Sequence, residues 1–206
     1  MSLVRFATGA LGNLKQTAAV APSSKHLAKA MVAPLRSTAR RCVIEFGPGT
    51  GVVTREILQC MPADSILLAF EINPQFVDYL RSEIPDERLQ VVAAGAETAT
   101  AELDRRGIAN VDAVVSSLGI ANMDAAAVDA VFRPLRPYLS PQGAMTQFQY
   151  FYRIKLDQGR VEYFNTGSLM RRYFSKVRST RVWLNFPPAY VITCRGALTD
   201  GSPAHG

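Results

Sequence analysis

The chain has 206 residues, of which 48% are hydrophobic and 19% charged. That is enough for one domain with a sizeable core, and it excludes a disordered, collagen-like or repeat protein. No apolar run reaches the roughly 20 residues of a membrane-spanning helix, and no apolar block with a small-residue cleavage site follows Met1. The net charge of +6 is segregated. Residues 1–44 carry seven Lys/Arg and no acid, residues 45–152 carry seven against fourteen acids, and residues 153–206 carry nine against three. Basic ends around an acidic middle point to an anionic partner: a lipid surface, a phosphate or a nucleic acid. Cys42, Cys60 and Cys194 have no close pairing, so they read as buried thiols of a reducing cytoplasm. His26 and His205, the only histidines, are too few for a His-based metal centre, and no metal is expected.

In chain order, residues 1–20 read as an amphipathic helix with Leu3, Val4, Ala7, Leu11 and Leu14 on one stripe. Ala21-Pro22-Ser23-Ser24 stops it and caps a second helix through Leu27, Met31 and Val32, which Pro34 ends. From Cys42 the pattern alternates. Cys42–Phe46, Ile66–Phe70, Leu89–Ala93, Asp112–Ser117 and Ala144–Tyr150 read as strands. Thr50–Cys60, Pro74–Glu83, Glu97–Gly107 and residues 124–138 read as helices. Such alternation implies a parallel sheet covered by helices on both faces. After a helix over Gly167–Tyr173, the runs Val177–Phe186 and Tyr190–Arg195 flank Pro187-Pro188 and predict an antiparallel hairpin at one edge. Residues 197–206 read as a disordered tail, leaving residues 21–196 as the domain.

The informative stretch is Val43-Ile44-Glu45-Phe46-Gly47-Pro48-Gly49-Thr50-Gly51. A buried strand runs into a glycine turn that opens a helix, where free N–H groups and bare backbone let a ligand approach closely. The sixth position from Gly47 is Val52 and from Gly49 is Thr54, so this is not a dinucleotide fingerprint, and no Gly-Lys-Ser/Thr makes it a phosphate loop. Glu45 suits a cationic ligand group better than a pyrophosphate. Glu71 ends the second strand, 20 residues past Gly51, where a ribose diol is gripped by two hydrogen bonds.

Residues 42–150 resemble, in order, the class I S-adenosylmethionine-dependent methyltransferases. The resemblance implies a Rossmann-like α/β fold, a mostly parallel seven-stranded sheet with an antiparallel edge hairpin and helices on both faces. It implies S-adenosyl-L-methionine as cofactor and S-adenosyl-L-homocysteine as product. The implied cofactor residues are Glu45, Gly47, Gly49, Thr50, Gly51, Glu71, Ile72, Ala96, Glu97 and Ser116. In such enzymes an Asp at the end of the third strand holds the adenine amine. Gly95 stands there, leaving the Ala96 N–H or the Glu97 carboxylate to substitute.

The finer resemblance is to bacterial phospholipid and ornithine-lipid N-methyltransferases. It is carried by Ala21-Pro22-Ser23-Ser24-Lys25, the Pro48-Gly49-Thr50-Gly51 form, Ser116-Ser117-Leu118, Gln147-Phe148-Gln149-Tyr150 and Val182-Trp183-Leu184-Asn185-Phe186-Pro187-Pro188. Ser116-Ser117-Leu118 replaces the Asn/Asp-Pro-Pro-aromatic motif that grips planar nitrogens, which speaks against base methylation. The resemblance implies an amine-bearing membrane lipid as substrate, at an anionic membrane surface. The enzyme would be cytoplasmic, peripheral to the inner face of the membrane, with residues 1–20 lying in the interface. Tyr150 is the catalytic candidate, with Tyr152 and Tyr163 beside it. Ser24, Ser117, Arg178 and Arg181 are the substrate-binding candidates, the arginines coming from a basic cluster suited to a lipid phosphate. The competing readings are methylation of a small soluble amine or RNA, and a cofactor-binding protein without catalysis.

Overall fold

A computed structural model describes residues 24–36, 40–151, 153–155, 160–162, 165–185 and 187–198, without the side chains of 153–155 and 160–162. Residues 1–23, on which the interfacial-helix expectation falls, lie outside the described residues, as do residues 199–206. The strands are β1 (Cys42–Phe46), β2 (Ile66–Phe70), β3 (Leu89–Val92), β4 (Val111–Ser116) and β5 (Leu139–Tyr150). They continue with β6 (Arg153–Lys155), β7 (Arg160–Glu162), β8 (Phe174–Val182) and β9 (Ala189–Ala197). The helices are α1 (Lys25–Val32), α2 (Val52–Leu58), α3 (Pro74–Glu83), α4 (Ala99–Arg106), α5 (Ala125–Leu135) and α6 (Thr166–Met170).

Seven strands form one sheet in the order β3-β2-β1-β4-β5-β9-β8. The first five are parallel; β9 runs antiparallel to both β5 and β8. Helices cover both faces of the parallel strands, so their side chains are mostly apolar. Alternation divides the core into two. Ile44, Phe46, Leu68, Phe70 and Val114 pack with Leu103, Phe132 and Met170 from α4, α5 and α6. Val43, Leu67, Ala113 and Val115 pack on the other face with Leu27, Met31, Ile57 and Leu80 from α1, α2 and α3. Each such fully buried aliphatic side chain contributes about 1.5–3 kcal/mol.

Several element boundaries differ from the sequence reading, three of them with a structural cause. β5 begins at Leu139, not Ala144, because its register against β4 shifts between Val111 and Ala113. The Gln142 carbonyl freed there accepts from the Arg40 guanidinium at 3.3 Å and the Arg195 guanidinium at 3.2 Å. β8 covers Phe174–Val182 and stops four residues short of Phe186. Pro187 and Pro188 have no N–H to extend a ladder, and Asn185 turns inward instead, 6% exposed. Ala197 closes β9, and the Leu198 N–H donates to the Tyr173 carbonyl, so both belong to the domain and not to the tail. The short antiparallel ribbon β6–β7 carries no periodic signal in the sequence.

Candidate active site

The site lies where the parallel strands β1, β2 and β4 end. The last hydrogen bonds of the ladder converge there: the Gly47 N–H donates to Phe70, the Glu71 N–H to Val92 and the Ser117 N–H to Phe46. Gly47, Gly49 and Gly51 all have positive φ, at 68°, 54° and 75°. A side chain is strained in that region, so the turn needs glycine. The surroundings of the three differ. A Cβ on Gly51 would meet Ile84 Cδ1 at 2.6 Å, whereas a Cβ on Gly49 would meet nothing within 4 Å. Gly51 is therefore required by packing against α3, and Gly49 faces an open cradle. Thr50, between them, is exposed.

Glu45 is fully buried on β1, and neither carboxylate oxygen has a hydrogen-bond partner. Burial pushes its pKa up to about 8. The Thr54 hydroxyl beside it opposes that shift without reaching hydrogen-bond geometry, and the Glu71 carboxylate adds to it. A buried carboxylate without a partner is costly unless something pairs with it. Beside an open glycine turn, that partner is a cationic ligand group.

Glu71 is 7% exposed at the end of β2. One of its oxygens accepts from the Gly49 N–H at 3.1 Å and the other from the Asn73 N–H at 2.9 Å. These bonds aim the carboxylate across the turn and leave a lone pair on each oxygen. Asn73 in turn caps α3, accepting from the Gln75 N–H at 3.0 Å. Ile72 beside Glu71 is 56% exposed, an apolar side chain at the mouth of the cradle. At the end of β3, a Cβ on Gly95 would lie 2.3 Å from both carboxylate oxygens of Glu97. The Glu97 carboxylate thus fills the place a side chain at residue 95 would take. Ala96 beside it is buried.

At the end of β4 the Ser116 hydroxyl is buried and accepts from the Leu118 N–H at 3.4 Å. Ser117 is half-buried and lies against Gly47. Gln147 on β5 donates to the Leu118 carbonyl at 2.8 Å, while its buried Oε1 has no partner. Tyr150 ends β5, half-buried, with its ring edge against Phe148 at 5.3 Å. Burial raises its pKa, so it is a neutral phenol at neutral pH and not a base. Tyr152 and Tyr163 lie outside the described residues.

The four substrate-binding candidates do not converge. Ser24 is engaged elsewhere: its Oγ accepts from the Leu27 N–H at 3.2 Å and donates to the Leu184 carbonyl at 3.1 Å. It pins α1 to the β8–β9 loop. Arg178 pairs with Thr193 and Arg181 with Tyr190. An odd spacing along a strand puts their side chains on opposite faces of the sheet, so they do not form one phosphate clamp. Arg171 lines a cleft of about 280 Å³ with Gln149, Asn165, Ser179 and Tyr190. Sequence reasoning missed Thr54 and Gln147, whose roles rest on contacts across elements, and Asn73, whose contacts with Glu71 and Gln75 are local. No group of three or more His, Cys, Asp or Glu that could hold a metal occurs among the described residues.

The residues present fit an adenosyl-sulfonium cofactor: an orphaned buried acid for its ammonium, a bare glycine turn, and an oriented acid for its ribose. No protein-family model matches the chain. It is 29% identical over 187 residues to an ornithine lipid N-methyltransferase of Singulisphaera acidiphila, covering 87% of this chain and 88% of that protein. It is 38% identical over 87 residues to ribosomal RNA small subunit methyltransferase H of Aromatoleum aromaticum, 41% of this chain and 28% of that protein. Its fold matches the Burkholderia thailandensis 1,6-didemethyltoxoflavin-N1-methyltransferase, solved with S-adenosylhomocysteine bound. The TM-score is 0.68 at 19% identity, over 95% of this chain and 91% of that one. The chain has the fold of S-adenosylmethionine-dependent methyltransferases and is similar over most of its length to an ornithine lipid N-methyltransferase.

Proposed function

We propose that the chain transfers a methyl group to the amine head group of a membrane lipid, such as phosphatidylethanolamine, its partly methylated forms, or an ornithine lipid. The observation that carries this reading is the similarity, over 87% of this chain and 88% of that protein, to an ornithine lipid N-methyltransferase. The end of β4 supports it, since Ser116-Ser117-Leu118 there lacks the groups that grip a planar amide or base nitrogen.

The bound cofactor supplies an electrophilic methyl on a sulfonium. Glu45 would pair with the cofactor's ammonium, Glu71 would accept from the ribose hydroxyls, and Glu97 would hold the adenine amine in place of an acid at residue 95. Thr50, Ile72, Ala96 and Ser116 would line the same cradle. The acceptor amine reacts through its lone pair, yet an aliphatic ammonium titrates near about 10.4 and is mostly protonated at neutral pH. Desolvation at the partly buried β5 end disfavours the charged form and releases the proton to water. The Tyr150 oxygen would accept a hydrogen bond from the amine, and its ring would hold the methylated cation. Positioning by Tyr150 and Ser117 then carries much of the rate.

A second reading, methylation of RNA, is favoured by the partial match to the ribosomal RNA methyltransferase, which spans 28% of that protein. Parallel incubations with labelled methyl donor, one with amine-lipid vesicles and one with ribosomal RNA, separate the two. Label in the lipid extract alone supports the first reading; label in RNA alone overturns it.

A further inference from the structure

We propose that the tip of the β8–β9 hairpin, carrying Trp183 and Leu184, seats in the head-group layer of an anionic bilayer beside the mouth of the active site. The proposal rests on the lipid reading above and adds the surface that meets the membrane.

Trp183 is 63% exposed and Leu184 is 70% exposed, the two highest values among the large apolar side chains of the described residues. One exposed leucine is ordinary. Two adjacent apolar side chains held outward by a braced backbone are a different matter. The Ser24 hydroxyl donates to the Leu184 carbonyl, and the Ser24 N–H donates to Asn185 Oδ1 at 3.0 Å. Asn185 Nδ2 donates to the Pro187 carbonyl at 2.6 Å. The Trp183 ring stands edge-on to Phe151 at 5.1 Å, and Phe151 stacks on Tyr190 at 4.3 Å. The loop therefore buries its polar Asn185 and presents its apolar side chains. This inverts the usual arrangement of a solvent-exposed turn.

The setting identifies the partner. Between residues 165 and 198 there are six Lys/Arg and no Asp or Glu. Arg181 is exposed just before the tip, and Ser24 brings the exposed Lys25 of α1 against it. Tryptophan beside leucine, with Arg181 and Lys25 nearby, matches the water–lipid boundary, where indole bodies are buried and cations meet anionic head groups. The tip also lies at the productive end of the sheet. Val182 pairs with Ala189, which pairs with Tyr150. A bilayer touching Trp183 would thus lie at the end where Tyr150, the glycine turn and Glu71 face outward. No helix among the described residues is long and apolar enough to cross a membrane. The attachment proposed is interfacial and reversible.

Trp183 is the only tryptophan of the chain, so the full-length protein reports on its own tip. Its emission is recorded with phosphatidylcholine vesicles, with and without phosphatidylglycerol, and with lipids brominated near the head group. The expected result is a blue shift and bromine quenching with the anionic vesicles, reversed by high salt. Leu184→Ser, which keeps the reporter, should weaken vesicle partitioning roughly tenfold. Failure to bind vesicles overturns the proposal, as does binding without a change in Trp183 emission. Equal partitioning of Leu184→Ser, or quenching by RNA and not by vesicles, also overturns it. Methylation of detergent-dispersed amine lipid with an unshifted Trp183 sinks the tip alone. A shifted Trp183 with no lipid methylation sinks the substrate reading alone.

Discussion

Replacing Glu45 by glutamine removes a titrating group without emptying its site. In the cofactor-free chain burial pushes Glu45 from 4.5 up to about 8. The folded state then keeps a proton that the unfolded chain releases above about pH 4.5. Its contribution to stability is complete below that pH, falls as pH rises, and levels off once the folded group itself ionises near pH 8. The slope is about 1.4 kcal/mol per pH unit, so this single group costs the wild type about 4 kcal/mol between pH 5 and pH 8. At 2–4 °C per kcal/mol for a chain of this size, the wild-type Tm should fall by roughly 8–16 °C relative to Glu45→Gln over that range. Thermal unfolding of both proteins without cofactor, followed by circular dichroism at intervals of pH, measures it. The affinity for S-adenosylhomocysteine should move the other way. Its ammonium favours ionised Glu45, so wild-type affinity should rise towards pH 8, with proton release visible by calorimetry in buffers of different ionisation enthalpy. Parallel Tm profiles for the two proteins from pH 5 to pH 8 would refute the reasoning.

Four further substitutions probe the cradle and the acceptor side. Gly49→Ala should cost only about 1–2 kcal/mol of stability through its positive φ, since a Cβ there meets nothing, yet should weaken S-adenosylhomocysteine binding at least about tenfold; calorimetric affinity equal to wild type would remove Gly49 from the cradle. Glu97→Ala should weaken the same binding about tenfold. Adding Gly95→Asp, at a φ of −75° that admits a side chain, should recover part of it; no loss in the single variant would leave the adenine amine to another group. Tyr150→Phe should lower kcat about 10- to 100-fold while cofactor affinity stays unchanged, and an unaltered kcat would remove the Tyr150 hydroxyl from the reaction.

Local physics made much of the fold legible. Cys42–Phe46, Ile66–Phe70 and Pro74–Glu83 are found at the boundaries their patterns predict, because short buried strands and a helix with Asn73 and Pro74 at its start are specified by neighbours in sequence. The start of β5 was not legible, since Arg40 and Arg195 reach the Gln142 carbonyl from distant parts of the chain. The site shows the same division. Glu45, Glu71 and the glycine turn could be picked out because strand-turn-helix spacing brings them together. Glu97 was legible only as an alternative to the Ala96 N–H, because its carboxylate reaches the place of a residue-95 side chain through a fold of the chain after β3. Strand alternation along β8 sets Arg178 and Arg181, drawn from one basic cluster, on opposite faces of the sheet. The engagement of Ser24 by the β8–β9 loop depends on contacts across some 160 residues, which no local pattern encodes.

The central claim, that the acceptor is a lipid amine, is tested most directly by one measurement. The full chain is incubated with labelled S-adenosylmethionine, total bacterial lipid and ribosomal RNA together, and the organic and aqueous phases are counted and chromatographed. The account predicts label in an amine lipid of the organic phase, shifted as a mono-, di- or trimethylated head group. Label confined to RNA or to a water-soluble amine, with none in the lipid phase, would contradict it.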